Sequence, residues 1–161
     1  MTRKEYFDLT IQAYQPTLGL IRMVPADKLG WRPGPTFMSL GQLICHLSGG
    51  IGPEFRCLLT NQWPGMEEMM EGMKLENLPS CGVEEAAQKL EKDKTTLREV
   101  LDGISESDFA EKVASTPWGW KGKLEIMAVL FREHFTNHKM QLFTYLKLLD
   151  LPVNTQTLYG G

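Results

Sequence analysis

Long apolar runs are missing from this sequence. No stretch of about 18 uncharged apolar residues occurs, so no membrane-spanning helix is expected. The opening segment MTRKEYFDLTIQAY mixes charges and has no continuous apolar core, unlike a secretory signal. The two absences lead to an expected cytoplasmic location. Clustered basic charge is missing as well. The 17 Lys and Arg are scattered among 20 Asp and Glu, for a formal charge of -3. Nucleic acid, which needs a basic stripe, is therefore not an expected partner. Cysteine is scarce: Cys45, Cys57 and Cys81 are odd in number and form no C-x-x-C pair. That excludes a disulfide framework and leaves reduced thiols as the expectation.

What remains is an ordinary balance of apolar and charged residues, without repeats or low-complexity tracts, over 161 residues. That length suits a single domain with one core. Four long helical patterns emerge. The first runs from about Arg3 to Met23, with Tyr6, Leu9, Ala13, Leu20 and Ile21 inward and Pro16 as a site of possible kinking. The prolines and glycines of VPADKLGWRPGP then mark a loop. Ser39 is the expected N-cap of a second helix reaching about Thr60. Leu40, Leu43, Ile44 and Leu47 give it a buried stripe, while Gly49, Gly50, Gly52 and Pro53 weaken its middle.

From Asn61 to Gly82 the pattern is loop with one short helix, and the Met-rich segment WPGMEEMMEGMK reads as adaptable packing. The third helix spans about Val83 to Leu101, with Val83, Ala86, Ala87, Leu90, Leu97 and Leu101 inward. Next comes a loop, with an irregular hairpin around Trp118 and Trp120. The fourth helix runs from near Leu124 to near Leu149 and is stopped by Pro152. No segment shows sustained strand alternation. The expected architecture is all-α, a single-domain bundle of four helices.

Histidine is as scarce as cysteine, and its three copies fall in apolar stripes. His134 and His138 are four residues apart, so they stack on one face of the fourth helix. His46 lies beside Leu43 and Leu47 on the second, with Gly50 leaving open space one turn on. Burying three neutral imidazoles without partners would cost about 1–3 kcal/mol each. A shared cation would satisfy them, and so would hydrogen bonds in a metal-free core. Imidazole suits Zn²⁺, Ni²⁺, Fe²⁺ and Cu²⁺, with Zn²⁺ or Ni²⁺ the expected ion, and three ligands leave a position open.

Three stretches resemble the DinB-like superfamily, which includes damage-inducible proteins, YfiT-type metal proteins and thiol-dependent transferases. They are LGWRPGPTFMSLGQLICHLSGG, HFTNHKMQLFTYLKLLDLPV and the closing TLYGG. The resemblance implies an up-down-down-up four-helix bundle, a divalent metal held by His46, His134 and His138, and a homodimer. One departure is visible: Asn137 stands where relatives often carry a further His, and Lys139, Met140 and Gln141 replace a later Arg-Gly-Gln.

The resulting expectation is a metal-dependent enzyme, a hydrolase or an S-transferase using a low-molecular-weight thiol, acting on a small-molecule substrate. Glu54, two turns beyond His46, is the candidate base or orienting carboxylate, with a solvent-facing position as the alternative. Glu133 and Cys45 adjoin histidines but point about 100° away from them. Trp31, Trp118 and Trp120 either line a pocket mouth or close the end of the core. Two competing readings stay open. One is a non-catalytic metal-binding or dimeric interaction protein. The other is a metal-free bundle.

Overall fold

The computed structural model describes residues 1–160; Gly161, which closes the TLYGG motif, lies outside the described residues. Eight α-helices occur among them: α1 Arg3–Arg22, α2 Leu40–Leu47, α3 Ile51–Thr60, α4 Met66–Gly72, α5 Val83–Asp102, α6 Glu106–Glu111, α7 Leu124–Leu148 and α8 Thr155–Tyr159. A 3-10 turn covers Ala26–Lys28. The fold is mostly helical rather than all-α. Strands β1 Val113–Ser115 and β2 Lys121–Lys123 form an antiparallel hairpin with Ala114 opposite Gly122. The tryptophans sit at its turn, as the sequence suggested. Alternation over three residues is too short to read as a strand beforehand.

Local chemistry explains the helix starts. Thr2 accepts from the Glu5 amide and Glu5 returns a bond to Thr2, a capping box that opens α1. Ser39 and Gln42 form the same reciprocal pair at the start of α2. Gln42 then donates to the carbonyls of Leu75 and Leu78, which pins the loop before α5 against α2. α5 and α7 begin and end within one residue of the expected bounds.

The second expected helix is broken. Ser48–Gly50 separate α2 from α3, and Pro53 falls in the first turn of α3. There its missing N–H is one that the helix leaves unpaired anyway. Pro16, by contrast, is accommodated within an unbroken α1.

The helices α1, α2, α3, α5 and α7 pack around one core. Its centre is aromatic: Tyr6, Phe55, Phe109 and Phe131 lie with ring centroids 5.8–6.4 Å apart. The Tyr6 hydroxyl donates to the Ala128 carbonyl and so ties α1 to α7. Leu9, expected inside, is 43% exposed because it sits on the outer edge of α1. The Met-rich segment around α4 is a second correction. Met66, Met70 and Met73 are exposed and do not pack into the core, and Met69 is half-buried.

Candidate metal centre

His46 projects from the last turn of α2, and His134 and His138 from the middle of α7. Packing of α2 on α7 closes the distance of almost ninety residues between them. One ring nitrogen from each histidine lies within 4.8 Å of the other two. Nε2 of His46 and Nε2 of His134 are 3.1 Å apart. Ring centroids are 4.5 Å apart for His46–His138 and for His134–His138. His134 is exposed; His46 and His138 are half-buried.

The third imidazole is oriented by its own helix. His138 Nδ1–H donates to Gln141 Oε1 at 2.9 Å, and Gln141 Nε2 donates to the Tyr145 hydroxyl at 3.0 Å. With its nitrogen on Tyr145, the amide turns its oxygen to the imidazole. Nδ1 then carries the proton and Nε2 keeps a free lone pair. Trp31 stands edge-on to Tyr145, with centroids 5.6 Å apart, and backs this relay. Sequence reading quoted Gln141 without giving it this role. The spacing 138, 141, 145 was the available signal, since i+3 and i+4 positions meet on a helix.

Electrostatics disfavour the charged form of His46 and His134. Burial, reinforced by His138 and His134, pulls His46 down to about 4. Burial and His138 also lower His134. Two lone pairs facing each other at 3.1 Å repel unless a proton or a cation lies between them. Two imidazoles bound to one ion at about 2.0–2.1 Å, at tetrahedral to octahedral angles, sit roughly 2.9–3.4 Å apart. The donor set therefore fits a divalent ion. The cavity among them has about 10 Å³, room for one ion or water.

Glu54 lines the same cavity, together with Phe131 and Phe135. It is half-buried rather than solvent-facing. Burial, then the charge of Asp93, pushes its carboxyl up to about 7. Asp93 is 2% exposed and escaped sequence reading, although an acid between Leu90 and Leu97 on the inward stripe of α5 was a signal. It accepts from the Gly52 amide at 2.7 Å and from the Tyr14 hydroxyl. Burial nonetheless holds its carboxyl above the usual range.

The other singled-out residues lie elsewhere. Cys45 is buried on another face of α2, where Lys89 Nζ is 3.3 Å from its sulfur. Glu133 and Asn137 are exposed. Trp118 stacks edge-on with Trp63 and Trp120 at the hairpin, and both hairpin tryptophans are more than 40% exposed, so they neither line this cavity nor plug the core.

Fold and centre together define a mostly helical protein with a three-histidine group that could hold a metal ion. The chain belongs to the DinB superfamily, whose family model matches residues 9–140. It is similar to the crystal structure of a DinB-like protein from Bacillus cereus ATCC 10987, with a TM-score of 0.73 and 15% identity over 95% of this chain and 96% of that one. Among curated proteins none matches the chain. No described helix is long and apolar enough to cross a membrane.

Proposed function

We propose that the protein is a divalent-metal-dependent enzyme, a hydrolase or a low-molecular-weight-thiol S-transferase, with His46, His134 and His138 as ligands to Zn²⁺ or Ni²⁺. The observation that carries the reading is the convergence of the three imidazoles, with the Nε2 atoms of His46 and His134 3.1 Å apart. A divalent ion held there would supply Lewis acidity and lower the pKa of a water or thiol beside it. The chain's own residues do the rest. Gln141 holds His138 in one tautomer. Phe131 and Phe135 limit water in the cavity, and Glu54, half-buried in the same cavity, is placed to take up a proton there as a general base would. Exposed His134 leaves the centre open to a small-molecule substrate. The principal helices, with α2 and α3 as one broken member, are read as the up-down-down-up four-helix bundle. The active form is read as a cytoplasmic homodimer.

One observation favours a second reading, a non-catalytic metal-binding or dimeric interaction protein. The enclosed space of about 10 Å³ accommodates an ion and leaves a substrate only the exposed side at His134. Protein purified without a His tag is loaded with Zn²⁺ or Ni²⁺ and its metal content measured. It is then assayed with bacillithiol, mycothiol, glutathione and simple ester and amide substrates. Stoichiometric metal with metal-dependent turnover supports the enzyme. Full loading with no turnover in the panel favours the second reading, and no bound metal refutes the enzyme and any metal-binding role, leaving only the dimeric interaction protein.

A further inference from the structure

A second and larger depression lies on the side of α7 away from the histidines. It has a volume of about 440 Å³ and is walled by α1, α7 and α8. That is within the range of small-molecule sites, about 300–1,000 Å³. Arg132, Thr136 and Lys139 enter it from α7. Their spacing of four and three places them on one helix face. Arg132 and Thr136 are each roughly 160° around the helix from His134. The cleft and the histidine centre are thus served by opposite sides of one helix.

Among the described residues the charge of the cleft is unbalanced. Lys139 is 7% exposed, and its ammonium donates to the Leu158 carbonyl at 3.1 Å. It also stands 5.4 Å from the centre of the Tyr159 ring. One carbonyl uses one of the three ammonium donors. Arg132 spends its Nε on the Leu9 carbonyl at 3.4 Å, and its two terminal amino groups have no hydrogen-bond partner among the described residues. No acidic side chain lines the cleft. Among the described residues neither cation forms an ion pair. Buried positive charge without an anion is costly, and an oxyanion offsets that cost with charge-assisted hydrogen bonds.

We propose that this cleft binds a small molecule carrying a carboxylate or phosphate, with its oxyanion held by Arg132 and Lys139 and its apolar body against Pro16, Met140 and Tyr159. Thr136, Gln12 and Asn137 supply the neutral polar contacts at the wall. Arg132 gives the planar fork that pairs with two oxygens, and Lys139 gives a point charge. The site is separate from the metal-centred function and does not depend on it.

The test titrates the full chain, loaded with Zn²⁺, with phenyl phosphate, benzoate and benzyl alcohol, followed by calorimetry. At least one of the two anions should bind saturably, one per chain, and at least tenfold more tightly than the neutral alcohol. Which anion binds more tightly separates a phosphate ligand from a carboxylate one. Arg132→Gln should weaken anion binding at least tenfold while leaving the metal content unchanged. His134→Ala should leave anion binding in place, which separates this cleft from a metal-bound anion. Lys139→Met also breaks the bond to Leu158 and can unseat α8, so Arg132→Gln is the deciding variant. Absence of saturable binding, equal affinity for the alcohol, or unchanged binding in Arg132→Gln overturns the proposal. So does dimer dissociation on Arg132→Gln without anion binding, which would make the cleft a contact between copies.

Discussion

Removing Gln141 should damage the metal centre without touching any of its three donor nitrogens. The amide is the sole partner of His138 Nδ1 among the described residues, at 2.9 Å, and is itself held by Tyr145 at 3.0 Å. In Gln141→Leu the volume is nearly kept and the acceptor is lost. The imidazole is then free to rotate and to carry its proton on either nitrogen, and one of those tautomers blocks the lone pair a cation needs. Losing such an orienting partner typically costs 10–100-fold in metal affinity, or about 1.4–2.7 kcal/mol. Tyr145→Phe removes only the bond that steadies the amide, at about 0.5–1.5 kcal/mol, and should cost less than tenfold. Competition of each purified variant against a zinc chelator of known affinity measures both losses, and circular dichroism checks that helicity is kept. A Gln141→Leu protein that binds Zn²⁺ within twofold of the parent would refute the tautomer argument. A larger loss in Tyr145→Phe than in Gln141→Leu would also refute it, because the relay would then run through something other than the amide.

Replacing His46, His134 or His138 by Ala should abolish stoichiometric metal binding with only a small loss of helicity, whereas Asn137→Ala, on an exposed position in the other cleft, should leave it intact. Elemental analysis after gel filtration reads both outcomes. Gly52→Ala should destabilise the protein by about 1–3 kcal/mol or more in urea unfolding, because an added Cβ would lie 2.8 Å from the Asp93 carbonyl and 2.9 Å from the Leu97 amide, neither of which can move cheaply. Glu54 has a folded-state pKa raised to about 7, so in chelator-treated protein its contribution to stability is complete below its unfolded value and is lost as pH rises through 7, an effect on the order of 3 kcal/mol. Glu54→Gln should remove that fall from the pH dependence between pH 4.5 and 8 in urea titrations, read as the difference from the parent because the lowered His46 and His134 add a rise of opposite sign in the same window, and an unchanged slope would place the carboxyl in water.

The parts of the fold that follow from spacing along one chain were legible in the sequence. Ser39 with Gln42 three residues on announces a helix start, and it caps α2 as expected. The apolar row of α5 and its Glu- and Lys-rich outer face gave that helix to within a residue. His134 and His138 had to share a face, and the stripe around His46 had to turn inward. The rest depended on contacts between distant segments. Leu9 and Met70 look like core residues by type, and only the placement of neighbouring helices leaves them outside. Arg132 and Lys139 read as solvated charge until α8 folds back to make a cleft over them. Helix α8 has five residues, too few for a periodic signal, although Asn154 and Thr157 form its capping box.

The break between α2 and α3 shows why local reading stops where it does. Along a continuous helix, His46 and Glu54 would be separated by about 12 Å of axis. The turn at Ser48–Gly50 lets both line one small cavity. Such a turn exposes the amides of a new helix N-terminus inside the protein, and these must be satisfied. Asp93 does this from α5, accepting from Gly52 at 2.7 Å. It can approach only because position 52 has no side chain. The glycines thus permit the break, but the acid two helices further along the chain, packed directly against α3, decides that it occurs there. The same buried acid then acts on the site, since its charge adds to burial in disfavouring ionised Glu54. A cation on the histidines acts in the opposite sense and favours the carboxylate. The protonation of Glu54 is accordingly set between a structural charge on one side and the occupancy of the centre on the other.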